Sequence, residues 1–206
     1  NWVFLFAGGL GTRLQPLTND CPKPLLKVGE KPILQEIIES FVAFGFSRFY
    51  LSINYKSEMI QEFFGDGSKF DAEIVYVTEK TALGTAGAIG NIKEPIKHPM
   101  IVMNGDILTR VNFQALLDFH SEANTDVTMC TRNIDLKIPY GVIESKGKQL
   151  ISIVEKPNHG FQVSAGIYVL NTPVLSHIKN NEYLDMPDFL DNLLQQNIPV
   201  SIFPIH

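Results

Sequence analysis

The apolar run Val3–Phe6 opens directly into Ala7-Gly8-Gly9-Leu10-Gly11, and this junction constrains the fold more than any other stretch. A short, wholly apolar strand belongs in a sheet buried on both faces, and glycines at its end let backbone N–H groups approach an anion closely. The loop fails the two commonest nucleotide fingerprints. The dinucleotide pattern G-x-G-x-x-G needs a glycine where Leu14 stands, and the next strand is followed by Asn54, not by an acidic residue. The P-loop needs G-K-[ST], whereas the chain offers Gly11-Thr12-Arg13. What the loop does carry is Arg13 within it and, further on, Lys23 between Pro22 and Pro24. A guanidinium forks onto phosphate oxygens, a lysine acts as a point charge, and flanking prolines reduce the entropy lost in aiming it. Two such cations beside one glycine loop suit a polyphosphate.

Beyond the loop, Pro32 opens a helical pattern. Ile33, Ile37 and Phe41 fall four apart, Leu34 and Ile38 likewise, and Gly45 stands where a C′ glycine belongs. Strands are expected at 49–53, 73–77 and 100–103, and helices at 58–64 and 113–123, the latter capped by Asn112. Strands alternating with helices predict βαβ units and a parallel sheet. The second half is richer in strands, at 127–131, 142–144, 151–154 and 163–170, followed by helices at 172–179 and 187–196 and a last strand at 200–203. No repeat, low-complexity tract or linker interrupts it, so one continuous α/β domain over 1–206 is expected.

Lys and Arg number 17 against 22 Asp and Glu, a formal charge of −5. That balance argues against nucleic acid as partner, because phosphate-backbone affinity comes from a cationic surplus. No apolar stretch approaches the ~18–20 residues that cross a bilayer, and the N-terminus lacks the basic region of a signal peptide. Cys21 and Cys130 are too few and too far apart for a disulfide framework or a zinc knuckle, which reads as reduced thiols in a cytoplasmic protein. The histidines show no metal-ligand spacing, so surface or half-buried places are expected for them, and Asp185, Asp188 and Asp191 read as a solvated helix face. The chain starts at Asn1 without Met and is read as a piece of something longer.

Gly8-Gly9-Leu10-Gly11-Thr12-Arg13-Leu14-x-Pro16-Leu17-Thr18, followed by Pro22-Lys23-Pro24-Leu25-Leu26, resembles the signature of the sugar-phosphate nucleotidyltransferases, or nucleoside-diphosphate-sugar pyrophosphorylases. The resemblance continues in the family's order through Leu83-Gly84-Thr85-Ala86-Gly87-Ala88, Asn104-Gly105-Asp106, Tyr140-Gly141-Val142, Glu155-Lys156-Pro157 and Ala165-Gly166-Ile167-Tyr168. It implies a Rossmann-like nucleotide-diphospho-sugar transferase fold, with a mostly parallel central sheet and a strand-rich second half. It also implies transfer of a nucleoside monophosphate from a triphosphate to a sugar 1-phosphate, releasing pyrophosphate. Such chemistry is mainly the positioning of two anions, which at ~4 Å repel by about 4 kcal/mol at an effective dielectric near 20.

By resemblance, Ala7, Gly8, Gly9, Gly11, Thr12, Glu79, Gly84 and Thr85 bind the nucleotide, while Arg13 and Lys23 hold its phosphates. Asp106, at the end of an apolar strand, would ligate Mg²⁺; a turn aspartate is its other reading. Lys156 would bind the sugar phosphate, with Glu155, Gly141, Ser164 and Gly166 around the sugar. Gly166 also reads as a β-bulge. Glu79 stands in the region where the family reads the base, and a carboxylate suits the two adjacent N–H donors of guanine, so GTP is favoured; a solvated loop residue, with backbone groups reading the base, is the other reading of Glu79. The Pro-Lys-Pro-Leu-Leu run resembles the mannose-1-phosphate guanylyltransferase branch. A bacterial sub-branch making guanosine-diphosphate amino sugars carries paired CBS-type regulatory modules ahead of the catalytic domain, which fits the start at Asn1. The rival readings are a uridylyl- or thymidylyltransferase of the same fold and a non-catalytic nucleotide-sugar regulator. Self-assembly into a homo-oligomer is left open. Two departures from the family pattern stand out. Ser164 replaces a usual Asn, and the family's second metal aspartate, in a Trp-x-Asp-x-Gly stretch, would lie past His206, so weak activity is expected of the bare chain.

Overall fold

A computed structural model describes residues 1–205. In chain order its elements are β1 (Trp2–Phe6), β2 (Lys27–Val28), β3 (Lys31–Pro32), α1 (Ile33–Ala43), β4 (Arg48–Ile53), α2 (Ser57–Phe64), β5 (Glu73–Thr78) and the single turn α3 (Gly84–Gly87). There follow β6 (Met100–Asn104), α4 (Phe113–Ala123), β7 (Val127–Lys137), β8 (Val142–Lys146), β9 (Gln149–Val154), β10 (Asn158–Leu170), α5 (Met186–Gln195) and β11 (Val200–Pro204). The main sheet has seven strands in the order β11-β7-β10-β6-β1-β4-β5. The pairs β1–β4, β4–β5, β1–β6 and β7–β11 are parallel, and β10 runs antiparallel to both β6 and β7. This is the mostly parallel α/β sheet that the strand–helix alternation predicts.

The strands are continuously apolar because both faces are covered. Val3 and Leu5 of β1 pack with Leu34, Ile38 and Phe41 of α1, Ile60 and Phe64 of α2, and Phe113 and Leu116 of α4. Phe4 faces the other way, among Ala86, Ile89, Met186, Phe189 and Leu193. Two helix ends follow the sequence closely. Gly45, at φ 86°, donates its N–H to Val42 and Phe46 donates to Phe41, which is the Schellman closure expected after α1. The Asn112 side chain accepts from the Ala115 N–H at 3.0 Å, capping α4.

The second half departs from expectation in two places. Residues 172–179, read as a helix, form only a 3₁₀ stretch over Thr172–His177. The segment is short, and its apolar Val174 and Ile178 bury against the body without a continuing helical stripe. β7 and β10 run far beyond their apolar cores, and their paired ends, Lys137 against Asn158, carry the β8–β9 hairpin outward as an arm. The extension escapes an apolar-run search because its outer residues are solvent-facing, Leu136 and Phe161 among them. Where β10 switches from pairing Ser164 to pairing Tyr168 the register shifts, and Gly166 sits in that bulge at φ 72°.

Candidate active site

The chain runs from β1 outward to β4 and β5, then returns to the other side of β1 with β6. Where strand order reverses, the loops leaving the carboxyl ends of neighbouring strands diverge and open a crevice. A cavity of about 680 Å³ lies there. It is lined by the loop Phe6–Leu14, by Asn54 after β4, by Glu79 and Lys80 after β5, and by Asn104, Gly105 and Asp106 after β6. Ala7, Gly8, Gly9, Gly11, Thr12, Arg13, Lys23, Glu79, Gly84, Thr85 and Asp106, singled out from the sequence, all line it. Close backbone approaches assemble it. The Gly105 N–H donates to the Phe6 carbonyl at 2.9 Å, and a Cβ at Gly105 would stand 2.5 Å from that oxygen. This contact sets Asp106 beside the glycine loop. Gly11 takes φ 62°, and its carbonyl accepts from the buried Thr18 hydroxyl at 3.0 Å.

The electrostatics of this cavity favour an anion. Its carboxylates are already engaged: Asp106 pairs with the Lys23 ammonium, and Glu79 accepts from the Ser52 hydroxyl and, at 2.9 Å, from the Leu83 N–H. Arg13 and Lys80 line the same cavity and make no ion pair among the described residues. Three cations, Arg13, Lys23 and Lys80, stand against two carboxylates, Glu79 and Asp106, so this glycine-lined mouth of an acidic chain carries a formal charge of about +1.

A second, larger cavity of about 1120 Å³ adjoins the first and shares Asn104 and Thr85 with it. Ser164 and Gly166 line it, with Tyr168, Arg110 and Arg132. The Ser164 and Tyr168 hydroxyls are 2.8 Å apart, and Ser164 also accepts from the Gly166 N–H, so the bulge braces itself. Burial raises the Tyr168 hydroxyl above its ordinary titration range, although the Ser164 contact lowers it. Gly141, Glu155 and Lys156 line neither cavity. They sit at the base of the arm, where Lys156 takes φ 46°, donates its N–H to the Tyr140 carbonyl and holds its ammonium 3.7 Å from Glu155.

A family profile described as nucleotidyl transferase matches residues 3–201. The chain belongs to that family. Among relatives, the mannose-1-phosphate guanylyltransferase of Mycobacterium tuberculosis is 33% identical over 178 residues, covering 84% of this chain and 50% of that protein. The mannose-1-phosphate guanyltransferase of Yarrowia lipolytica is 35% identical over 182 residues, covering 84% and 50%. The chain spans about half the length of the curated relatives it matches. Among solved structures, HddC from Yersinia pseudotuberculosis in complex with GMP-PN superposes with a TM-score of 0.73 at 26% identity, covering 99% of this chain and 90% of that one.

Within this nucleotidyl transferase framework, the sequence reading missed several groups. Asn54 and Asn104 line the first cavity; Asn104 belongs to the Asn104-Gly105-Asp106 motif, and the only signal for Asn54 is its position just after an apolar strand. Asp185 was read as part of a solvated helix face. It instead stands at the N-cap position of α5 with no side-chain bond to that helix, and accepts from the Thr85 N–H at 2.9 Å, a partner a hundred residues away that no local pattern reveals. His120 is expected at a surface or half-buried place. It is buried on α4, where its ring nitrogens meet the Thr128 hydroxyl at 2.8 Å and the Asn171 side chain at 3.0 Å. No group of three or more His, Cys, Asp or Glu side chains able to hold a metal occurs among the described residues. Among the described residues, no helix is long and apolar enough to cross a membrane.

Proposed function

We propose that this domain transfers a nucleoside monophosphate from a nucleoside triphosphate, GTP by preference, to a sugar 1-phosphate, releasing pyrophosphate. The observation that carries the reading is Arg13, which makes no ion pair among the described residues, set with the Lys23–Asp106 pair in one glycine-lined cavity at the reversal point of the sheet. Relatives named for guanylyl transfer to mannose 1-phosphate and the HddC complex with GMP-PN support the same choice of nucleotide. The glycine loop offers its amides to the triphosphate, and Arg13 grips the oxygens on which charge develops. The Lys23 ammonium moves from Asp106 to the leaving pyrophosphate. Asp106 fits a divalent cation such as Mg²⁺: it is a hard oxygen donor in the cavity, and such an ion needs only one or two carboxylates when phosphates and water complete its shell. The ion would neutralise phosphate charge during the displacement. Glu79 is proposed to accept from guanine, and Lys156 with Glu155 to meet the sugar phosphate from the arm.

The test is a pyrophosphate-release panel on the full-length protein, crossing the four nucleoside triphosphates with glucose, mannose, glucosamine and N-acetylhexosamine 1-phosphates. Release is expected with GTP, and Lys23→Ala is expected to lower it by about a hundredfold or more, as loss of a transition-state donor does. Turnover by Lys23→Ala at the parental rate removes the assigned role. Release with another triphosphate but not GTP removes the base assignment alone.

A further inference from the structure

The turn Leu83–Gly87 walls the nucleotide-side cavity with Gly84 and Thr85, yet it belongs to neither β5 nor β6, and something must hold it. Its near end is tied by Glu79, which accepts from the Leu83 N–H. Its far side is zipped to the segment just before α5. The Leu184 N–H donates to the Leu83 carbonyl at 2.9 Å, and the Leu184 carbonyl accepts from Ala86 and Gly87 at 2.9 and 3.0 Å. The backbones touch: a Cβ at Gly84 would lie 2.6 Å from the Leu184 oxygen, and one at Gly87 would lie 2.3 Å from the Glu182 oxygen. The glycines of this motif therefore serve chain-to-chain packing.

The side-chain contact at the centre of this zipper is Asp185. One carboxylate oxygen accepts from both the Thr85 N–H, at 2.9 Å, and the Thr85 hydroxyl, at 3.1 Å. That hydroxyl in turn accepts from the Met186 N–H at 2.8 Å, so its proton is spent on Asp185 and is not offered to a ligand. The other carboxylate oxygen accepts from the Tyr183 hydroxyl at 2.6 Å, which fixes the carboxylate from outside. Asp185 itself lines neither cavity, whereas Thr85 lines both. We infer that Asp185 is a positioning residue: acting through Thr85, it sets the wall against which the nucleotide binds. The inference rests on the nucleotide-binding reading of this cavity.

The test titrates GTP with Mg²⁺ into the full-length protein by calorimetry and follows amide exchange at Thr85, for the parent and for Asp185→Ala, Asp185→Asn and Asp185→Glu. Asp185→Ala is expected to raise the Kd for GTP roughly tenfold, the scale of losing hydrogen bonds to a charged group, and to speed exchange at Thr85. The kcat at saturating GTP is expected to stay within about twofold, because positioning of the ground state is what is lost. Asp185→Asn keeps an oxygen acceptor and is expected to bind GTP within about threefold of the parent. Asp185→Glu keeps the charge but moves the acceptor by a methylene, and is expected to bind poorly. This pair keeps the inference testable even if Asp185→Ala does not fold. Faster exchange at Thr85 with an unchanged Kd overturns the inference, and so does a Glu variant that binds while the Asn variant does not. A parent that binds no nucleoside triphosphate refutes the nucleotide reading itself and the inference with it, an outcome distinct from a parent that binds and variants that match it.

Discussion

A Cβ at Gly9 would meet no protein atom within 4 Å, although Gly9 lines the nucleotide-side cavity. Gly11, two residues on, takes φ 62°, and a Cβ there would press to 2.8 Å from the Thr18 side chain. The same residue type therefore answers two different demands, room for a ligand and room for the fold. Gly9→Ala is expected to keep the thermal midpoint within about 2 °C of the parent while weakening GTP binding about tenfold. Gly11→Ala is expected to lose roughly 1–3 kcal/mol of stability in a denaturant titration. Equal losses of stability in both variants would refute the distinction. The buried hydroxyl of Thr131 has no partner among the described residues. Leaving such a group unpaired costs about 1–3 kcal/mol, so Thr131→Val, close in shape, is expected to raise the unfolding midpoint. A lower midpoint would show that the hydroxyl is satisfied in solution. Cys130 is fully buried, and desolvation pushes its thiol up to about 12. It is expected to resist alkylation at pH 8 until the protein is unfolded.

At the scale of elements, what could be read from the sequence divides by the range of the interaction. α1 with its glycine stop, α4 with its Asn112 cap, and the apolar strands β1, β4 and β6 are encoded by neighbours in the chain, and all stand where the residues put them. The glycine loop was readable for the same reason, because Gly8 to Arg13 is one contiguous word. The anchoring of Thr85 by Asp185 was not, because neither residue carries a sign of the other. The hairpin strands β8 and β9 stand where 142–144 and 151–154 predict them, but the outward ends of β7 and β10 carry no such signal, because their solvent-facing side chains break the apolar runs that mark a strand. The Asp185 contact also has a pH signature. The Tyr183 hydroxyl, then the Thr85 amide, hold the Asp185 carboxyl below its ordinary value of 3.8. A depressed carboxyl stabilises the folded state above its unfolded value and loses that contribution as pH falls through the folded one. The gap in thermal midpoint between the parent and Asp185→Asn is therefore expected to be flat from pH 5 to 7 and to close below about pH 4. A gap that is widest in acid would reverse the assignment.

At the scale of the whole molecule, the body and the arm are structurally distinct. The body buries a core on both faces of the sheet and builds the nucleotide-side cavity without help from residues 138–157. The arm carries Gly141, Glu155 and Lys156, of which Lys156 and Glu155 are proposed to meet the sugar phosphate. It leaves Ile143 at 61% and Ile153 at 62% exposure, so its hairpin contributes little to the core of the chain that bears it. Lys137 and Asn158 stand directly opposite each other in the β7–β10 ladder, so a two-residue Asn-Gly turn can join them once residues 138–157 are removed. The shortened protein is expected to fold cooperatively and to bind GTP within about threefold of the parent, since no lining residue of that cavity is lost. Its transfer to any sugar 1-phosphate is expected to fall by at least about a hundredfold, the scale of losing the group that aligns one reactant. Retained transfer with an unchanged KM for the sugar phosphate would place the acceptor wholly in the cavity shared by Asn104, Ser164 and Gly166, and would strip Lys156 of its role. Loss of GTP binding instead would show that the arm closes over the nucleotide as well.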